Sequence, residues 1–154
     1  MSMNKIIVTG GAGFIGSNLV KRLLDDGAEE ILVIDDFSTG KKENLHDSSK
    51  VHLIESKLED IEDLKSKFKG YDFCFHLAAG VGVQYIMDNL SDSLLTNIQG
   101  THIVFEACKV NNIPVMITST SEIYGTSKEE SWDEETKSLI GPTTKLRWSY
   151  AVSK

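Results

Sequence analysis

The sequence predicts an α/β fold built on a doubly wound parallel sheet, and two observations support this prediction. Short runs rich in Val, Ile and Phe alternate along the 154 residues with longer amphipathic segments, as strands and helices do in βαβ crossovers. The apolar runs are nearly continuous, which is typical of strands that are buried on both faces. Because 40% of the residues are hydrophobic and 25% are charged, we expect one globular domain with a substantial core.

The expected elements follow one another in a regular order. A strand at residues 5–10 leads into a helix at 14–27, which closes at a glycine as helices commonly do. Further strands are expected at residues 31–35, 51–56, 71–79 and 113–120. Helical spacing marks the segments 59–70 and 91–112. The last residues, 150–154, are expected to lie at the start of another helix.

The bulk properties exclude several classes of function. A net charge of −7 leaves no basic surplus for a nucleic acid or an anionic membrane surface. No apolar run approaches the roughly 20 residues of a membrane span, and no signal-peptide pattern is present, so we expect a cytoplasmic protein. Cys74 and Cys108 lie far apart within apolar segments, and we therefore expect buried thiols and no metal site.

The stretch TGGAGFIG, residues 9–16, lies between the first strand and the first helix. It satisfies G-x-G-x-x-G through Gly11, Gly13 and Gly16, and a wider spacing through Gly10. Glycines allow left-handed backbone angles and a close approach to a pyrophosphate, whose charge then meets the positive end of the helix. The turn therefore predicts a Rossmann-type dinucleotide site.

An acidic residue, Asp35, ends the second expected strand about twenty residues further on, where dinucleotide-binding folds hold the ribose. Its carboxylate would accept hydrogen bonds from the ribose hydroxyls and repel a 2′-phosphate, which favours NAD over NADP. Lys41 and Lys42 follow closely in the sequence and could meet a 2′-phosphate, so NADP stays open as the alternative cofactor.

Tyr150 and Lys154 are four residues apart, so in a helix they would project from one face. A nearby cation stabilises a phenolate, so we expect Lys154 to lower the pKa of Tyr150 from its usual value of about 10. Such a tyrosine can take a proton from a sugar hydroxyl while hydride leaves for NAD, and Thr120 can hydrogen-bond the same oxygen.

With these residues the sequence resembles the extended short-chain dehydrogenase/reductases, the NAD-dependent epimerase/dehydratase family that acts on nucleotide sugars. The resemblance covers the whole chain through TGGAGFIGSNL (9–19), VIDDFSTGKKENL (33–45), FHLAA (75–79), TNIQGT (96–101), STSEIYG (119–125) and YAVSK (150–154). It implies that residues 1–154 are an incomplete NAD-binding domain, truncated before the last strands and the C-terminal substrate lobe. It also implies a homodimer for the full-length protein.

The resemblance implies a set of NAD contacts. At the pyrophosphate these are Gly10, Gly13, Phe14, Ile15 and Gly16. Around the adenosine ribose they are Asp35, Asp36, Ser38, Thr39 and Gly40. Further contacts are expected from Leu58, Leu77, Ala78, Ala79 and Asn97, together with Tyr150 and Lys154. Lys57 stands where the family usually has an Asp that contacts adenine. The contacts with adenine that remain expected at this segment are those of the Leu58 backbone.

The residues beside Thr120 distinguish the reactions within the family. Ser121 argues against the dTDP-glucose 4,6-dehydratases, and Thr-Ser-Glu ending at Glu122 is similar to UDP-glucuronate decarboxylases and to GDP-mannose 4,6-dehydratases. The Arg-Trp pair before Tyr150 favours the decarboxylases, in which a 4-keto sugar loses its C5 carboxylate as CO₂. A UDP-sugar 4-epimerase shares the first oxidation step and stays open. A non-catalytic NAD sensor or scaffold is the alternative from another class.

Overall fold

The computed structural model of the chain describes residues 4–80, 90–146 and 148–154. The described residues form two compact units. The first takes its described residues from Met1–Ala79 and Gly100–Ile117, and the second takes its described residues from Gly80–Gln99 and Thr118–Lys154. The first unit contains the sheet, as its strand bounds show.

The sheet has five strands, and every pair of neighbours is parallel. The strands are β1 Lys5–Thr9, β2 Glu30–Asp35, β3 Val51–Glu55, β4 Phe73–His76 and β5 Val115–Ile117. Their order across the sheet is β3-β2-β1-β4-β5, so β1 is central and the chain reverses its direction of winding after β3. The prediction of a doubly wound parallel sheet is therefore confirmed, and ligands of such sheets bind beyond the carboxyl end of the central strands.

The helices agree with the predicted pattern in three of four places. They are α1 Phe14–Asp25, α2 Leu64–Lys67, α3 Leu90–Asn111 and α4 Trp148–Ser153. The long helix predicted at 59–70 is wrong, because a 3₁₀ turn at Leu58–Asp60 precedes the short α2. Asp63 breaks the segment with φ of 52° and caps α2 by accepting a hydrogen bond from the Ser66 N–H at 3.3 Å. No helix in the three described ranges is both long and apolar enough to cross a bilayer.

Two strands, β4 and β5, are shorter than predicted by several residues, whereas β1 and β3 each end one residue early. β4 stops at His76 instead of continuing to residue 79, because the next N–H groups bond to the end of β1. Leu77 N–H donates to the Thr9 carbonyl at 3.1 Å and Ala78 N–H to the Thr9 hydroxyl at 3.2 Å. β5 is limited to Val115–Ile117, where its three residues pair with the last three of β4. Residues 77–79 thus leave the sheet where β1 ends.

The core lies on both faces of the sheet, since successive strand residues point to opposite sides. Ile7 and Cys74 join a cluster with Phe68 and Cys108, whereas Ile6 and Val8 pack with Val20 of α1 and with Val33. Cys74 and Cys108 are both buried and unbridged, as predicted. The hydrogen bond with the neighbouring Cys108, together with burial, raises the pKa of the Cys74 thiol. These packed faces hold the carboxyl ends of β1, β2 and β4 in place.

We expect Phe68→Ala to lower the free energy of unfolding by about 3–5 kcal/mol, because Phe68 is fully buried and its removal leaves a cavity. Phe14→Ala is the matched control, since Phe14 is 85% exposed and its truncation opens no cavity. Urea unfolding of the two variants measures the difference. Equal losses in both would contradict the core described here.

Candidate functional site

The glycine turn is packed backbone against backbone. Gly10 has φ of +70°, and a Cβ there would lie 2.7 Å from the Ala78 nitrogen. A Cβ at Gly16 would lie 2.7 Å from the Gly11 Cα. Side chains are therefore excluded at both positions by the chain itself, which brings α1 close to the end of β1. The predicted tight turn is present.

Gly13 differs from its neighbours because the chain leaves room beside it. A Cβ there would only reach van der Waals contact with the Gly10 carbonyl oxygen, at 3.4 Å. Gly13 also has φ of −71°, which any residue adopts. Internal packing thus does not require glycine at this position, whereas the approach of a bound group would.

The N-terminus of α1 is suited to an anion. Gly13 is its N-cap and supplies no side-chain hydrogen bond, and the first turn contains no acidic residue. The first helical bond runs from Ser17 N–H to the Gly13 carbonyl, so the N–H groups of residues 14–16 precede the helical ladder. Phe14 and Ile15 are largely exposed at this end. Open space, free donors and the helix dipole together fit a pyrophosphate.

Asp35 is buried at the end of β2, and its carboxylate is oriented by the chain. One oxygen accepts a hydrogen bond from Ala12 N–H at 2.8 Å, and the other accepts from Phe37 N–H at 2.9 Å. An ionised carboxylate has about four acceptor positions, so each oxygen keeps one for a further donor. The two backbone bonds fix the side chain beside the glycine turn and leave acceptors for ribose hydroxyls.

The loop after β2 is folded onto the glycine turn. Gly40 touches Ala12 so closely that a Cβ would lie 2.8 Å from the Ala12 carbonyl carbon. Lys41 N–H and the Asn44 amide both donate to the Ala12 carbonyl oxygen, at 3.3 and 2.9 Å. Asp36 closes the start of the loop by accepting from Ser38 N–H at 2.9 Å. The predicted ribose segment therefore lies against the predicted pyrophosphate turn.

The other predicted contacts of the first unit lie at the ends of β3 and β4. Leu58 begins a 3₁₀ turn with its side chain in the core, and Lys57 caps that turn as an exposed side chain. Ser56 N–H bonds to the Asp35 carbonyl at 3.2 Å, which joins this segment to β2. Leu77 and Ala78 are bonded to the end of β1, as described above, and Ala79 follows them half-buried.

The second unit brings together three of the predicted catalytic residues. Thr120 is the N-cap of a 3₁₀ turn at Ser121–Tyr124, and its hydroxyl oxygen accepts from Glu122 N–H at 3.3 Å. This leaves the Thr120 O–H as a donor. α4 packs against the same turn with Tyr150 half-buried. Thr120, Glu122 and Tyr150 are thus held by two short helical segments in contact.

The electrostatics at Tyr150 differ from the prediction. Burial raises the pKa of Tyr150, and the negative charge of Glu122 raises it further. α4 ends at Ser153, so Lys154 follows the helix instead of completing a pair within it, and burial lowers the pKa of this lysine. The prediction that Lys154 lowers the pKa of Tyr150 is therefore wrong for the chain by itself.

Asn97 is buried, and its amide joins two segments of the second unit. Its Oδ1 accepts from Gly80 N–H at 2.8 Å, and its Nδ2 donates to the Ser153 hydroxyl at 3.1 Å. Ser153 in turn donates to the Tyr150 carbonyl at 2.9 Å. The structure thus gives Asn97 a role in holding α4, and its contact with NAD stays a prediction.

Sequence reasoning missed one aromatic contact beside this site. The acidic segment 128–135 is exposed, but its Trp132 stacks on Tyr124 with ring centroids 5.1 Å apart. Thr126 N–H bonds to the Leu139 carbonyl at 2.8 Å and closes the loop onto the 3₁₀ turn. A tryptophan within an acidic run was the available signal. Arg147, part of the decarboxylase-like Arg-Trp pair, lies outside the described residues.

Metal-binding side chains do not form a cluster in the described part of the chain. No group of three or more His, Cys, Asp or Glu residues there is arranged to hold an ion. The chemistry of the donor sets that are present, namely backbone N–H groups, hydroxyls and a carboxylate, is instead that of a dinucleotide site.

We expect Gly13→Ala to weaken binding of NAD, the cofactor that the sequence predicts, by tenfold or more, because the new methyl group occupies the open space beside the helix N-terminus. The free energy of unfolding should fall by no more than about 1 kcal/mol, because no atom of the chain obstructs the methyl group and the remaining cost is that of Ala in place of Gly at a helix N-cap. Calorimetric titration and urea unfolding measure the two quantities. Gly16→Ala is the matched control and should destabilise the fold, and unchanged NAD affinity in Gly13→Ala would refute the assignment.

We expect Glu122→Gln to lower the pKa of Tyr150, because the substitution removes a negative charge that disfavours the phenolate. The pKa should remain above its usual value of about 10, since burial is the larger cause. Absorbance titration of ionised tyrosine, taken as the difference from Tyr150→Phe, measures the shift. Glu134→Gln, on the exposed acidic segment, is the control, and the same shift in both variants would show a general charge effect instead.

Comparison with known proteins agrees with this geometry. The profile of the NAD dependent epimerase/dehydratase family matches residues 6–154. A UDP-N-acetyl-alpha-D-glucosaminuronate decarboxylase of Bacillus cytotoxicus is 33% identical over 97% of this chain and 46% of its own length. The chain thus spans about half the length of this relative.

Solved structures show the same similarity. A UDP-N-acetylglucosamine 4-epimerase from Methanobrevibacter ruminantium, in complex with UDP-N-acetylmuramic acid, has a TM-score of 0.86 at 33% identity and covers 99% of this chain and 47% of its own. The Bordetella bronchiseptica enzyme WbmG, in complex with NAD, has a TM-score of 0.83 at 30% identity, and the match covers 99% of this chain and 47% of that enzyme. The family match over nearly the whole chain, on a sheet whose central turn fits a dinucleotide, shows that this chain belongs to the NAD dependent epimerase/dehydratase family, whose cofactor is NAD.

Proposed function

We propose that the protein oxidises a nucleotide sugar at C4 and decarboxylates a UDP-uronic acid, with Tyr150 as the base. The observation that supports this most directly is the grouping of Thr120, Glu122 and Tyr150 within the second unit, where α4 packs on the 3₁₀ turn. Base, hydroxyl donor and carboxylate are the three groups that the reaction requires. A protein that only sensed NAD would need none of them.

The chain's own groups suit the proton transfer from the sugar. Thr120 keeps a free O–H because its oxygen already accepts from Glu122 N–H, so it can donate to the 4-hydroxyl oxygen. Tyr150, in its phenolate form, removes the proton from that hydroxyl and becomes a neutral phenol, and the ammonium group of Lys154 stabilises the phenolate before the transfer. Glu122 is half-buried and serves proton transfers at the sugar ring.

The residues proposed to hold the pyrophosphate and the adenosine ribose of NAD lie in the first unit. Gly10, Gly13 and the helix N-terminus would hold the pyrophosphate, and Asp35 would hold the adenosine ribose. Bound NAD would accept the hydride that leaves the sugar C4 and would return it to the 4-keto sugar after CO₂ is lost, so that the cofactor is not consumed. The fit rests on the open space at Gly13 and on the acceptor positions that remain on Asp35.

Decarboxylation is favoured within the family by the residues beside Thr120. Oxidation at C4 converts a C5 carboxylate into a β-keto acid, which loses CO₂ without a further acid at the position of Ser121. Ser121 is exposed and has no carboxyl group to assist loss of water. The similarity to a decarboxylase of an N-acetylated UDP-uronic acid, over 97% of the chain, supports the same reaction.

A UDP-sugar 4-epimerase is the second candidate, supported by the similarity to an enzyme of that activity at a TM-score of 0.86. It shares the oxidation at C4 and differs in the fate of the keto sugar. A GDP-mannose-type 4,6-dehydratase has less support, and the homodimer and the cytoplasmic location also remain predictions.

The whole protein should be incubated with UDP-glucuronate, its N-acetylated analogue, UDP-glucose, UDP-N-acetylglucosamine and GDP-mannose. We expect release of CO₂ and a pentose product from a UDP-uronic acid. Product NMR separates this outcome from inversion at C4 and from loss of water. Inversion of a neutral UDP-sugar without CO₂ release would replace the decarboxylase proposal by the epimerase.

We expect Tyr150→Phe to lower kcat by about 10²–10⁴-fold with little change in KM, because the phenol acts as a base and is not needed to bind the sugar. Tyr124→Phe is the matched control, since Tyr124 lies on the same 3₁₀ turn and stacks on Trp132 through its ring. Steady-state rates of sugar consumption measure both. Retention of kcat in Tyr150→Phe would exclude Tyr150 as the base.

A further inference from the structure

A buried chain of polar groups lies at the carboxyl ends of β1 and β4. Thr9 and His76, the last residues of these two strands, are 0% and 2% exposed. The Thr9 hydroxyl is 2.7 Å from His76 Nδ1, and His76 Nε2 is 3.1 Å from the Thr101 hydroxyl of α3. These three side chains belong to the first unit and have no part in the function proposed so far.

The direction of the hydrogen bonds between Thr9, His76 and Thr101 follows from the protons that these side chains can donate. Thr9 Oγ1 accepts from Ala78 N–H at 3.2 Å, and its single O–H lies 2.7 Å from His76 Nδ1. A buried hydroxyl proton is costly to leave unpaired, so Thr9 donates to Nδ1. The proton of the neutral imidazole then resides on Nε2, which donates to the Thr101 hydroxyl.

The chain of hydrogen bonds holds two predicted cofactor segments together. Thr9 is followed by Gly10, whose N–H donates to the Ile34 carbonyl of β2 at 2.8 Å. On the other side, Thr9 binds Leu77 N–H through its carbonyl and Ala78 N–H through its side chain. Gly10 and Ala78 are so close that no Cβ fits between their backbones. A small displacement at Thr9 would therefore move the glycine turn relative to residues 77–79.

We propose that His76, through Thr9, is a positioning residue for NAD, which fixes the exit of β4 against the glycine turn. Thr101 anchors the ring from the opposite side by accepting a hydrogen bond from Nε2. Because the imidazole is buried, it would act through Thr9 and not by direct contact with the cofactor. The inference rests on NAD binding and is independent of which sugar the protein uses.

The first test is binding of NAD to the whole protein, measured by calorimetric titration. Thr9→Val keeps the shape of the side chain but removes the hydroxyl, and we expect the Kd for NAD to rise about tenfold, equal to about 1.4 kcal/mol. Thr9→Ser retains the hydroxyl and should bind as the unaltered protein does. Thr101→Val leaves the hydrogen bonds of Thr9 in place and should raise the Kd for NAD less than Thr9→Val does.

Phe68→Ala separates positioning from general loss of stability. It should lower the free energy of unfolding without raising the Kd for NAD, because Phe68 lies in the core cluster around Cys74 and Cys108. If Thr9→Val lowers stability but leaves the Kd unchanged, or if Thr9→Ser is as impaired as Thr9→Val, the proposal is wrong.

The second test uses the unaltered protein and does not depend on the folding of any variant. Nitrogen-15 chemical shifts of the His76 ring report its tautomer, and we expect the proton on Nε2 with Nδ1 as an acceptor. A proton on Nδ1 would overturn the proposal, since Thr9 would then not donate to the ring. If Tyr150→Phe retained full turnover, the proposed reaction would fail while both results on His76 still stood.

Discussion

Contact between backbone atoms at the end of β1 is the constraint on which the first unit depends. Gly10 meets Ala78, Gly16 meets Gly11, and Gly40 meets Ala12, each at a distance that a side chain would prevent. Three connections, after β1, β2 and β4, therefore converge on a few backbone atoms. A donor-rich helix N-terminus and an oriented carboxylate follow from that convergence, because α1 and Asp35 are both attached to the same turn.

Much of this unit could be predicted from the sequence because its signals are local. Runs of β-branched or aromatic residues marked every strand, and the spacing of Gly10, Gly13 and Gly16 marked the turn. The boundaries were less accurate where a distant partner decides them. β4 ends at His76 because Leu77 and Ala78 bond to Thr9, almost seventy residues earlier in the chain. No pattern within residues 71–79 contains that information.

The helix predicted at 59–70 failed for a local reason that hydrophobic spacing does not register. Ile61, Leu64 and Phe68 have helical spacing and do pack around the same core cluster. The left-handed backbone of Asp63 nevertheless interrupts the segment, because its side chain caps the turn that follows. The helical spacing thus agrees with the burial of these apolar residues, whereas the backbone conformation that buries them is not the predicted helix.

The second unit separates the positioning of Tyr150 from its ionisation. Asn97 and Ser153 hold the backbone of α4, so the place of the tyrosine is determined by hydrogen bonds that do not involve its phenol. Burial and Glu122 meanwhile favour the neutral phenol. The tyrosine is neutral when the chain is alone. It becomes charged only when a positive charge comes close to it or when the negative charge of Glu122 is removed. In the proposed reaction, the proton of Tyr150 would therefore be released as the reactants assemble, and the tyrosine would stay unreactive until then.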